Sequence, residues 1–138
     1  MLRFLLVSVT GWMAVLGTGI ETALPYIFRN TPPRAIVEKS PARSSNLRVR
    51  MWPHYWLGYV LVALVLTHAS FAMGPVMGRS DATGIWAATL ALCLLFLQVG
   101  LGLTLKVETS NRRQLRQWHF WSMIGFIGLI LVHVLRNG

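Results

Sequence analysis

The chain reads as an all-α membrane protein, a single domain built as a four-transmembrane-helix bundle. Three observations predict it. First, 54% of its 138 residues are hydrophobic and 12% charged, with the apolar residues gathered in long blocks, too apolar for an ordinary soluble domain. Second, four blocks, about 4–27, 54–76, 84–106 and 117–135, are long enough to cross a hydrocarbon core ~30 Å thick. Third, ten of the thirteen basic residues fall in the first and third connections, leaving Arg3, Arg79 and Arg136 elsewhere. By the positive-inside rule those two connections are cytoplasmic and both termini lie outside. The net charge of +9 is then a topology signal and not a nucleic-acid footprint.

The opening Met-Leu-Arg-Phe-Leu-Leu-Val has the shape of a signal peptide, with Arg3 as its charged region. The expectation here is a retained first membrane helix over 4–27. Its Gly11, Gly17 and Gly19 permit close approach of a neighbouring helix or a flat ligand. Glu21 is the one acidic residue inside any apolar block, and an ionisable group at that depth is a functional candidate, for proton or quinone chemistry. Near a helix end it would instead reach the headgroups. Pro25 predicts a bend or stop.

Residues 28–51 carry Arg29, Arg34, Lys39, Arg43, Arg48 and Arg50 against Glu38, with Thr-Pro-Pro and Ser-Pro-Ala turns. This is expected to be an irregular cytoplasmic loop, read either as solvated at the lipid headgroups or, more sharply, as held by a partner subunit. The second helix opens at Trp52-Pro53-His54, where proline in a first turn is tolerated because its missing N–H has no partner to lose. Gly58 stands one turn beyond His54 on the same face. There it offers bare backbone to the edge of a flat ligand or to a neighbouring helix. The helix is expected to end near Met73-Gly74-Pro75. A short turn through Arg79 leads into a third helix without histidine. Its Cys93, alone among Leu and Ala, reads as a packing residue. A loop from Lys106 to Arg116 then leads to the fourth helix at Gln117-Trp118-His119.

The chain has four histidines, and one pattern uses all of them. His54 is followed by Tyr55-Trp56 and, fourteen residues on, by His68; His119 is followed by Phe120-Trp121 and, fourteen residues on, by His133. Fourteen residues return to within about 40° on a helix and rise about 21 Å, so each helix holds two imidazoles on one face, one near each side of a membrane. Charge makes the second and fourth helices parallel, which puts His54 level with His119 and His68 level with His133. A single intramembrane histidine can simply hydrogen-bond to a neighbouring helix. Four at matched depths point to two bis-histidine b-type haems between the second and fourth helices, His54/His119 and His68/His133. No C-x-x-C-H occurs for covalent haem, and one cysteine cannot make an iron–sulfur or zinc site. Haem propionates need cationic partners. Arg48, Arg50, Arg113 and Arg116 are the candidates on the cytoplasmic side, and Arg79 and Arg136 on the outer side, each equally readable as a plain topology charge.

These residues resemble membrane di-haem b-type cytochromes: the four-helix core of respiratory cytochrome b, and bacterial cytochrome b561 and ferric-reductase-like membrane domains. The likeness covers roughly residues 50–136. It rests on His54-Tyr-Trp-Leu-Gly-Tyr to Leu-Thr-His68, and on Trp118-His119-Phe-Trp to Leu-Val-His133. It implies that the four histidines ligate iron. The chain is shorter than those relatives, and its charge pattern starts the ligand helices from the cytoplasmic side, opposite to respiratory cytochrome b. Quinone sites of that family therefore do not transfer.

The functional expectation is transmembrane electron transfer by a subunit of a larger respiratory or photosynthetic oxidoreductase in a bacterial inner membrane. Its partners would be other membrane or redox subunits, and a quinone or quinol is the second candidate ligand. Two alternatives stay open: a quinone-reactive cytochrome b subunit using Glu21, and a non-redox anchor or assembly subunit without haem.

Overall fold

The computed structural model describes residues 2–30, 51–73, 81–107 and 110–137, all but a few of them helical. There are four helices: α1 (Leu2–Asn30), α2 (Trp52–Ala72), α3 (Ala82–Val107) and α4 (Arg112–Asn137). All four are long and apolar enough to cross a membrane. The shortest, α2, has 21 residues, about 32 Å at the helix rise, close to a bilayer core. Many large apolar side chains point outward, among them Leu5, Leu16, Trp86, Phe96 and Leu131. Such a belt is tolerable on a surface that meets lipid and costly on one that meets water.

The helices form two hairpins. α1 packs on α2, α3 packs on α4, and the hairpins touch each other far less closely. Their shared core is one thin layer of Ala14, Leu61, Ala91, Leu95 and Phe126. Leu61 and Phe126 each stand seven residues after the first histidine of their helix, midway between its two imidazoles. A plug of packed side chains thus separates an upper from a lower histidine level. Thr18, the one buried polar residue among those described, returns its hydroxyl to the Ala14 carbonyl at 2.8 Å and so needs no outside partner.

Several boundaries differ from expectation. α1 runs through Pro25 to Asn30. The proline removes one N–H, that which would have reached the Glu21 carbonyl four residues back, and so leaves that oxygen free for another donor. α4 begins at Arg112, five residues before the expected start, so Arg113 and Arg116 belong to its first turns and not to a loop. Its side of the connection is tied down by Arg112, which donates to the Leu105 carbonyl at 3.3 Å, at the electronegative end of α3. α3 starts at a side-chain cap: the Asp81 carboxylate accepts the Gly84 N–H at 3.2 Å. That hydrogen bond holds the exposed Asp81 carboxyl below the ordinary aspartate range. Cys93 is exposed on the outside of the bundle, not packed within it, because α3 turns that face away from α4.

Candidate functional site

The four histidines come together as two pairs. The ring centroids of His54 and His119 are 6.5 Å apart, and those of His68 and His133 are 6.2 Å apart. The planes within each pair are nearly perpendicular, at 82° and 79°. A metal–imidazole bond is about 2 Å and a ring centroid lies about 1.1 Å behind its nitrogen, so two imidazoles on opposite sides of one ion have centroids about 6 Å apart. Both pairs have that spacing. Among the described residues no group of three or more His, Cys, Asp or Glu could hold a bare metal ion. A donor set of two imidazoles suits an iron whose other four ligands come from a porphyrin.

The helices without histidine orient the rings. His68 directs Nδ1 at the Val7 carbonyl at 3.0 Å, with the Thr10 hydroxyl at 3.3 Å. His133 directs Nδ1 at the Gly84 carbonyl at 2.9 Å. A carbonyl can only accept, so each Nδ1 carries the proton and each Nε2 keeps its lone pair for a ligand. The upper pair faces equivalent backbone, the Glu21 carbonyl for His54 and the Gln98 carbonyl for His119. Val7 and Glu21 are fourteen residues apart on α1, and Gly84 and Gln98 fourteen apart on α3. The first helix of each hairpin therefore repeats the histidine period of the second. At the upper level neither carbonyl reaches hydrogen-bonding geometry, and the Nδ1 atoms of His54 and His119 are buried without a partner.

A cavity of about 390 Å³ opens between the hairpins at the upper level. His54 and His119 line it, with Gly58, Tyr55, Leu95 and Phe126 among its largely apolar walls and Glu21, Gln98, Lys106 and Arg116 as polar groups. An apolar space with a few polar groups at one end matches what an amphipathic macrocycle with acidic edges requires. Gln98 donates to the His119 carbonyl at 2.8 Å and fixes α3 against α4 there. Lys106 lies over the Tyr55 ring, 4.0 Å from its centroid. The lower level is tighter: a Cβ added at Gly11 would lie 3.0 Å from the His68 ring, and one at Gly84 would collide with the Asn137 side chain. Asn137 also accepts the Asp81 N–H at 2.7 Å, pinning the end of α4 to the start of α3 beside His133. His133, close to the end of the chain, is thus held half-buried inside the bundle.

The arginines divide. Arg116 lines the histidine cavity. Arg113 does not; it sits with Arg116, Gln117, Phe120 and Trp121 in an open hollow on the outer side of α4. Arg136 is exposed at the end of α4. Arg48, Arg50 and Arg79 lie outside the described residues, as does most of the 28–51 connection. Gly58 meets a carboxylate: a Cβ there would stand 2.9 Å from Glu21 Oε1. Arg3, which as a letter in the chain signals only a charge, donates its guanidinium to the carbonyls of Phe71 (3.1 Å) and Met73 (2.5 Å). It closes the end of α2 just past His68.

No protein-family model, curated protein or solved structure matches this chain. The functional reading therefore rests on its residues and their geometry.

Proposed function

We propose that this chain is a di-haem b-type membrane cytochrome that carries electrons across the bilayer as a subunit of a larger respiratory or photosynthetic oxidoreductase. The observation that carries the reading is the doubled histidine pair. In two pairs the imidazole centroids lie 6.5 and 6.2 Å apart, the pairs are about 21 Å from each other along the helices by the helix rise, and at the lower level backbone carbonyls hold the Nδ1–H tautomer. Bound b haems supply reversible one-electron chemistry at each level. The protein's own part is to hold and orient. His54 and His119 present one pair of imidazoles, and His68 and His133 the other. Val7 and Gly84 set ring direction from behind, and Arg116 offers a cation at the edge of the upper cavity. His54 with His119, and His68 with His133, would each give a bound haem two imidazoles, and electron exchange with partners would then run through the haem edge and not through a substrate held at iron. The Leu61 and Phe126 layer excludes water between the levels.

The resemblance to cytochrome b cores and to b561 and ferric-reductase-like domains supports the same reading; with it goes the proposal, from the charge pattern, of a bacterial inner membrane with both termini outside. The quinone-reactive alternative draws on Glu21, which lines the same cavity as His54 and His119. A dithionite-reduced minus oxidised spectrum of the purified protein, with a pyridine haemochrome assay, tests the proposal. Two b haems per chain are expected. A colourless preparation from haem-replete cells would leave only a membrane anchor or assembly subunit.

A further inference from the structure

Among the described residues, the rings of two of the four histidines have an evident means of orientation. His68 and His133 donate to carbonyls. His119 belongs to a backbone segment clamped by the Gln98 amide. His54 has a buried, unpartnered Nδ1 and one distinctive neighbour, Glu21 Oε1 at 3.8 Å. That distance exceeds a hydrogen bond by about 0.6 Å, a gap on the scale of a small side-chain rotation. The carboxylate stands there because Gly58, one turn past His54, has no side chain; a Cβ would come within 2.9 Å of the oxygen. At the matching place in the second hairpin stands Gln98, fourteen residues after Gly84 as Glu21 is fourteen after Val7, and its side chain bonds to backbone instead. The acid is therefore specific to the His54 side of the upper pair.

We propose that Glu21 is the positioning residue of His54: its carboxylate, seated on the Gly58 notch, accepts the Nδ1–H of His54 and turns Nε2 toward the space shared with His119. Its redox readout rests on the haem reading above; its tautomer readout does not. A carboxylate behind an imidazole raises the basicity of the ligand nitrogen, which favours the oxidised metal. Removing it raises the reduction potential of that iron alone.

The experiment is a potentiometric titration of the purified full-length protein with Glu21→Gln, Glu21→Leu and Gly58→Ala. It is paired with ¹⁵N-histidine spectra of the same variants prepared haem-free. In the titration one of the two midpoints rises, with the redox equilibrium constant of that haem changing about tenfold, or about 59 mV for one electron. The midpoint of the other haem stays, and Gly58→Ala shifts the same midpoint as Glu21→Gln by displacing the carboxylate. In the spectra His54 is an Nδ1–H tautomer in the native chain and loses that preference in Glu21→Leu. A Glu21→Gln protein with both midpoints and the tautomer unchanged overturns the proposal. So does a shift produced by Pro25→Ala but not by Glu21→Gln, which would give the role to the Glu21 carbonyl. A native protein without haem would overturn the cytochrome reading while the tautomer still decides the role of Glu21.

Discussion

The two ends of the bundle hold histidine pairs of nearly equal spacing, 6.5 and 6.2 Å, in unlike surroundings. At the lower end both Nδ1 atoms are hydrogen-bonded, α1 and α3 lie close against the rings, and Arg3, Asp81 and Asn137 tie off the helix ends. At the upper end both Nδ1 atoms are unpartnered, and a cavity of about 390 Å³ separates the hairpins. The lower pair is preorganised by backbone, whereas the upper pair lines the opening with no hydrogen bond at either Nδ1. Equal spacing with unequal support gives one chain two histidine pairs in different environments.

That contrast can be broken one level at a time. The largest effect belongs to the rings themselves. On the proposed haem reading, His119→Leu is expected to leave one haem per chain in place of two, and His133→Leu to do the same from the lower level, counted by pyridine haemochrome. Loss of both haems from either single variant would show that the levels are not independent.

Next comes packing at the lower end. Gly11→Leu has no room beside His68, so it should destabilise the bundle by about 1–3 kcal/mol and, on the proposed haem reading, lower the haem content of the chain. The same change at Gly19, where nothing lies within 4 Å of an added Cβ, should be tolerated. Thermal unfolding in detergent compares the two.

A smaller effect is expected at the upper end. Gln98→Leu loses the hydrogen bond to the His119 carbonyl, a cost of about 1 kcal/mol, and should perturb the upper spectrum while sparing the lower one.

The smallest is Asp81→Ala. Its carboxyl is held below the ordinary aspartate range by the Gly84 N–H, so the cap contributes above that range and its contribution fades as pH falls through the lowered value. The difference in melting temperature between native and Asp81→Ala protein should therefore shrink in acid. A difference that persists at the lowest pH would mean that the cap acts without its charge.

Much of this architecture is legible in the order of the residues. Block length predicts four helices, and the fourteen-residue interval puts two imidazoles on one face, because both depend only on helix rise and turn. The early start of α4 is hidden because four of the five residues from Arg112 to Arg116 are polar, and hydropathy marks where a helix enters lipid, not where it begins. Gly58 reads as bare backbone for a flat ligand, yet its immediate neighbour is the Glu21 carboxylate. The fourteen-residue repeat on α1 and α3 is equally hidden, since carbonyls at Val7, Glu21, Gly84 and Gln98 carry no residue-type signal. The one clue is Pro25, whose missing N–H frees the Glu21 oxygen.

Helix number, membrane character and the facing of histidines within each helix are consequences of local composition and period, and the chain carries them without any knowledge of its packing. Which atoms stand behind each ring is another matter. His68 meets Val7 across 61 residues of chain, His133 meets Gly84 across 49, and Arg3 reaches Phe71 across 68. Contacts of that kind follow from the register and crossing of packed helices, a property of pairs of elements that the periodicity of any one of them does not contain.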